Sequence, residues 1–129
     1  MSEPGDMTSR SNPRNQPRDR SLEPAPFAVI VVPLSDHEVR VSVEGELDLV
    51  SAPELEEKLK RELLASNDVL LDLSAMDFID STGLHAIVES VRTAKAVGRK
   101  LKLSADLPQH ARRLMEIVGL LPFIPITPE

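Results

Sequence analysis

The sequence predicts an α/β domain: a mixed, mostly parallel sheet of four to five strands in the order β-β-α-β-α-β-α-β, packed with three helices. Three observations carry this. Val69-Leu70-Leu71-Asp72-Leu73 is a nearly unbroken aliphatic run, the pattern of a strand buried on both faces. Just beyond it the period changes, and Leu84, Ile87, Val88 and Val91 recur at i, i+3, i+4 and i+7, which is one face of a helix. Upstream, Val39, Val41 and Val43 alternate with Arg40, Ser42 and Glu44, the signature of a strand with one buried face.

Taken in order, Phe27 to Val32 predicts a first strand ended by Pro33, with a turn over Leu34 to His37 and a hairpin partner over the alternating valines. Gly45 to Val50 leads out of that partner into a loop. Ser51-Ala52-Pro53-Glu54 announces the first helix: Ser51 and Glu54 have capping-box spacing, and proline is tolerated where the first N–H groups are unpaired. Leu55, Leu59 and Leu63 form its inner stripe, while Glu54–Lys58, Glu56–Lys60 and Glu57–Arg61 are i,i+4 pairs on its outer face. Asn67-Asp68 turns the chain into the central strand. Asp80-Ser81-Thr82-Gly83 then sits where the second helix must begin, and Ser81 is expected as its N-cap. Gly83 is expected to permit close backbone approach at that turn. Gly98 is the expected left-handed stop, Leu101 and Leu103 mark a fourth strand, and Asp106 is the expected cap of a third helix. That helix carries Leu107, Ala111, Leu114, Met115 and Val118 inward and ends at Gly119. Leu121 to Ile126, broken by Pro122 and Pro125, allows at most an edge strand.

Residues 1–26 differ in composition from the rest. They hold five of the eleven prolines, and four arginines (Arg10, Arg14, Arg18, Arg20) balance four acids. So little large apolar surface cannot offset the entropy of ordering, so this segment is expected to be a disordered tail and 27–129 the folded domain. The whole formal charge of −6 then belongs to the domain, which argues against a nucleic-acid partner, as do three phenylalanines with no Trp or Tyr. With no cysteine, a reducing compartment fits. No apolar run approaches the ~18 residues that span a bilayer, and the N-terminus lacks a signal-peptide core. A cytoplasmic protein without membrane insertion is expected.

Candidate chemistry is sparse. His37 and His110 read as surface residues, whereas His85 lies one helical turn beyond Ser81 on the same side. A Ser–His hydrolase would need a G-x-S-x-G elbow and a third triad member, and neither is evident. Asp72, Asp77 and Asp80 bracket the end of the central strand, where a receiver-domain aspartate or a magnesium site would sit. The expected hairpin start and the lack of an obvious lysine partner speak against a receiver, and helix-terminus electrostatics accounts for carboxylates there. There is no phosphate-cradling glycine loop. No metal site and no cofactor are expected, and the balance favours a binding module over an enzyme. A hydroxyl at the mouth of a strand-to-helix turn is, however, where a kinase can reach it.

Gly45-Glu46-Leu47-Asp48 followed by Ala52-Pro53-Glu54-Leu55, then Leu71-Asp72-Leu73-Ser74, then Phe78-Ile79-Asp80-Ser81-Thr82-Gly83-Leu84, resembles the STAS domain of bacterial anti-sigma factor antagonists. The likeness covers Phe27 to about Ile126, and it is specific because two motifs occur in the right order about thirty residues apart. It implies the STAS fold and a partner switch. In that family the unmodified antagonist binds an anti-sigma factor, a serine kinase of the histidine-kinase-like ATPase fold, and so frees a sigma factor. The kinase phosphorylates a serine that corresponds to Ser81, with Thr82 the second choice, and a metal-dependent Ser/Thr phosphatase reverses the modification. The resemblance implies a partner-binding surface of Glu46, Asp48, Asp80, Thr82, Gly83, Leu84 and His85. His85 stands where many members have a small residue, and the proline-arginine tail is not part of the family core. The resemblance also accommodates a non-phosphorylated STAS subunit of a lipid-transport or other membrane-associated complex, and a STAS scaffold of a signalling assembly in which Ser81 is chiefly a cap.

Overall fold

A computed structural model of the chain describes residues 26–127. The expected tail, apart from Pro26, lies outside the described residues, as do Pro128 and Glu129. As far as α3 the elements follow the expected order: β1 (Ala28–Ser35), β2 (Glu38–Leu47), α1 (Ala52–Leu64), β3 (Asp68–Ile79), α2 (Ser81–Ala96), β4 (Leu101–Leu103) and α3 (Gln109–Ile117). They form one four-stranded sheet in the order β1-β2-β3-β4, in which β1 pairs antiparallel with β2, and β2–β3 and β3–β4 are parallel. The parallel pairs are joined by crossovers through α1 and α2.

The core is aliphatic. Val39, Val41 and Val43 of β2, Val69, Leu71 and Leu73 of β3, and Leu101 and Leu103 of β4 are buried against Leu55, Leu59 and Leu63 of α1 and Leu84, Ile87 and Val91 of α2. Large aliphatic side chains of this kind each contribute about 1.5–3 kcal/mol when fully removed from water. On the outer face of α1, the Glu54–Lys58 pair closes to 3.8 Å.

The central strand is longer than its apolar run suggests. β3 continues through the polar stretch to Ile79, and its buried positions run 69, 71, 73, 76, 79. The step from two to three has a cause. The pairing with β2 slips by one residue between Ser42 and Glu44 and again between Gly45 and Glu46, each time with the extra residue on β3. Each bulge re-aims the side chains that follow, so Met76 and Ile79 still point into the core. Gly45, at φ +86, sits at the second slip, in a conformation that costs glycine nothing.

Several local expectations are corrected. β1 does not stop at Pro33 but continues to Ser35, because an edge strand tolerates a residue without an N–H. The Ser51–Glu54 capping box does not form: Ser51 has helical backbone angles and its hydroxyl turns into the preceding loop. α3 opens at Gln109 behind Pro108 with no side-chain cap, and Asp106 takes no part. Ala111 and Met115 are its buried residues, whereas Val118 is exposed. After α3 the two prolines leave only a short 3₁₀ turn, Leu121–Phe123, and a single parallel bridge from Ile126 to Leu103 in place of a fifth strand.

All three helices end alike. The second residue past each C-cap donates to the carbonyl five residues back, from Asn67 to Glu62, Arg99 to Ala94 and Leu120 to Met115, and a left-handed residue precedes it. Gly98 and Gly119 supply that conformation as expected, but in α1 the residue is Ser66, at φ +70. A Cβ is disfavoured there by about 1 kcal/mol or more. Ser66→Gly should therefore raise the melting temperature by about 4 °C, readable by calorimetry.

Candidate functional site

Because β2 and β3 are parallel, their C-terminal ends open on the same edge of the sheet. Leu47 pairs with Ile79, so the loop after β2 and the turn before α2 leave the sheet side by side. Two contacts lock them together. The Asp80 N–H donates to the Leu47 carbonyl at 3.2 Å. Gly83 packs so closely beneath that a Cβ there would lie 2.5 Å from the same carbonyl oxygen and 2.8 Å from Leu47 Cγ.

The cap of α2 is not Ser81. Asp80 is the N-cap residue, with extended backbone, and its Oδ1 accepts the Gly83 N–H at 2.9 Å. Ser81 is the first helical residue and is exposed. The expectation fails by one position because Asp and Ser both cap well, and only the backbone angles decide which residue stands outside the helix.

The neighbouring loop has an organiser that the capping-box reading misassigned. Ser51, 8% exposed, accepts the Asp48 N–H at 2.9 Å and donates to the Glu46 carbonyl at 2.7 Å. Asp48 Oδ1 in turn accepts the N–H groups of Val50 and Ser51 at 3.0 and 3.2 Å, and the Asp48 carbonyl accepts from Ala52 at 2.8 Å. The Asp48 side chain is thus committed to shaping the loop. Ser51→Ala leaves a half-buried N–H and a carbonyl without these partners, which should lower stability by about 1–3 kcal/mol in a denaturant titration.

Of the residues expected at this surface, Glu46, Ser81 and His85 are exposed, and Asp48, Asp80 and Thr82 are half-buried. Gly83 and Leu84 are buried, so they shape the rim from below and present no side chain to it. Three apolar side chains were missed. Leu49 and Val50 stand 71% and 86% exposed at the tip of the loop, and Phe78, paired with Glu46, is 47% exposed. Leu49 and Val50 fall in the expected loop and Phe78 in the family motif, but residue type alone does not show which apolar side chains a loop leaves exposed. The rim therefore combines Glu46, Asp48, Asp77 and Asp80 with the exposed apolar side chains Leu49, Val50 and Phe78, a composition suited to binding another protein.

The carboxylates do not gather into a metal site. Asp72 accepts the Ser74 N–H at 2.9 Å and Asp80 is engaged in the cap, and among the described residues no group of three His, Asp or Glu is placed to hold an ion. His110 is exposed, as expected, and its Nε2 lies 3.2 Å from the Met76 carbonyl, tying the start of α3 to β3. Among the described residues no helix is long and apolar enough to cross a membrane.

The family model of the STAS domain matches residues 30–129. The chain belongs to the STAS domain family. A curated relative, the anti-sigma-B factor antagonist of Bacillus subtilis, is 34% identical over 93 residues, covering 72% of this chain and 84% of the relative. The anti-sigma-F factor antagonist RsfB of Mycobacterium tuberculosis is 35% identical over 96 residues, covering 70% and 75%. Among solved structures, an anti-sigma factor antagonist from Mycobacterium paratuberculosis superposes with a TM-score of 0.70 at 28% identity, over 81% of this chain and 87% of that one. The unphosphorylated antagonist SpoIIAA shares the fold with a TM-score of 0.66 at 19% identity, over 79% and 90%. The expected STAS fold is the one observed.

Proposed function

We propose that this STAS domain is an anti-sigma factor antagonist whose rim around Ser81 binds an anti-sigma factor with serine-kinase activity and so releases a sigma factor. Phosphorylation of Ser81 ends the association, and a metal-dependent Ser/Thr phosphatase restores it. The relatives named above support the class, and one geometric observation supports the switch. The cap of α2 is made by Asp80, so the Ser81 hydroxyl is exposed and not needed by the fold.

The electrostatics of such a switch follow from the rim. A phosphate adds about −1.5 to −2 charges at pH 7, and at the N-terminus of α2 it meets the positive end of the helix dipole, so the domain tolerates it. At an interface the same group joins Glu46, Asp48, Asp77 and Asp80. Like charge and the cost of desolvating a dianion then oppose docking, while Leu49, Val50 and Phe78 supply the apolar contact that the unmodified form buries. Binding changes without a change of fold. Thr82 is half-buried and the poorer acceptor.

The test is to incubate the protein with candidate anti-sigma kinases and ATP, locate the phosphate by mass spectrometry, and compare kinase affinity before and after. Phosphate at Ser81 with lowered affinity is the expected result. A partner that binds the phosphorylated and unmodified forms equally removes the switch.

A further inference from the structure

The far end of α2 carries a second surface of opposite character. Between Glu89 and Asp106 the chain holds Arg92, Lys95, Arg99, Lys100 and Lys102 and no carboxylate, in a protein whose net charge is −6. These cations rim two adjoining depressions of about 360 and 280 Å³ that share Val91 and Lys95. The larger lies between α2 and the C-terminal segment, floored by Val88, Val91, Leu120 and Ile124 and flanked by Phe123, which is 69% exposed. The smaller continues past Ala94 to Leu101 and Pro125. Arg92 is paired with Glu89 at 2.7 Å, and Arg99 holds the Ser66 carbonyl at 3.0 Å and pairs with Asp68 at 3.8 Å, on the side where Lys100 and Lys102 border Glu38 and Asp68. Lys95, Lys100 and Lys102 have no carboxylate partner among the described residues.

We propose that this groove is a second docking surface, for an acidic amphipathic helix of a partner protein. The floor is apolar and the rim cationic, so the complementary occupant has apolar side chains on one stripe and carboxylates beside it. Two adjoining depressions suit the i, i+4, i+7 anchors of a helix lying along a groove. An anionic bilayer would find the same charges, but a flat surface does not reach a recessed floor. The groove begins about 10 Å along α2 from Ser81, at Val88, and extends to about 20 Å, at Lys95, at about 1.5 Å per residue, and it shares no residue with the proposed kinase-binding rim, so it does not depend on that assignment.

The experiment uses the full chain, isotopically labelled for NMR, and three probes. The first is a synthetic peptide with leucine at i, i+4 and i+7 and glutamate between, the second is its scrambled isomer, and the third is vesicles of phosphatidylcholine with about one-third phosphatidylglycerol, an anionic surface. The patterned peptide should shift resonances of residues 88–102 and 120–125, and the scrambled one should bind at least about tenfold more weakly. Lys95→Glu with Lys102→Glu should weaken the patterned peptide by about tenfold, and Phe123→Ser by about fivefold. All three side chains are exposed, so the fold should be kept, and Ser81→Asp should leave peptide binding unchanged. Equal binding of the scrambled peptide, shifts outside the groove, or recruitment by vesicles without peptide binding would overturn the proposal.

Discussion

Gly83→Ala should unfold much of the stability of this domain, lowering it by about 3 kcal/mol or more and the melting temperature by over about 10 °C. The sign is diagnostic. Gly83 lies inside α2, where helix propensity alone favours alanine over glycine by about 1 kcal/mol. The added Cβ, however, would stand 2.5 Å from the Leu47 carbonyl oxygen and 3.1 Å from Ile79 Cγ1. The first neighbour is backbone in a paired strand, so it cannot rotate away. It also accepts the Asp80 N–H, so moving it loosens the join between the two loops of the rim. Gly83→Val should be worse, and both variants should lose kinase-partner affinity along with stability. Calorimetry on the alanine variant decides the matter: an unchanged or raised melting temperature would mean that propensity outweighs the clash.

Ser81→Asp should bind the anti-sigma kinase at least about tenfold more weakly than wild type, while melting within about 2 °C of it. Ser81→Ala should bind like wild type, melt like wild type and take up no phosphate at that position. The cap geometry separates these effects from stability. Because Asp80 Oδ1 holds the Gly83 N–H, neither change at 81 removes a cap, whereas Asp80→Ala should cost about 1 kcal/mol. Thr82→Ala is the control and should still accept phosphate at Ser81. Measuring melting, affinity and phosphate incorporation across the four variants tests the proposal. Full affinity of Ser81→Asp for every partner of the wild type would refute it.

The expected order of elements matches the observed one as far as α3, and for a local reason. The helices and most strands announce themselves by a period of 3.6 or 2 that their own residues carry, and the ends of α2 and α3 are marked by glycine. Leu55, Leu59 and Leu63, or Val39, Val41 and Val43, have one solution for burial whatever surrounds them. Gly98 and Gly119 were legible as helix ends because a left-handed residue is most often glycine. The two loop motifs that carry the family likeness are contiguous in sequence, so their residues could be named in advance.

The misjudged features all depend on what lies across space. From sequence β3 stops at Leu73 because its aliphatic run ends there, whereas the strand continues to Ile79 through bulges that exist only in its pairing with β2. Ser51 looks like a cap until the Glu46 carbonyl and Asp48 N–H are found beside it. Leu49, Val50 and Phe78 were not expected at the partner surface, and their exposure beside it follows from where the loops leave the sheet. Thus the sequence by itself determined the fold class, the order of elements and the loop that bears the candidate serine. Tertiary structure decided that Asp80 caps the helix, that Gly83 admits no side chain, and that acidic and apolar groups share one rim. The physical reason is range: periodicity and backbone preference act within a few residues, whereas burial and close approach are set by segments that meet only when the sheet has formed.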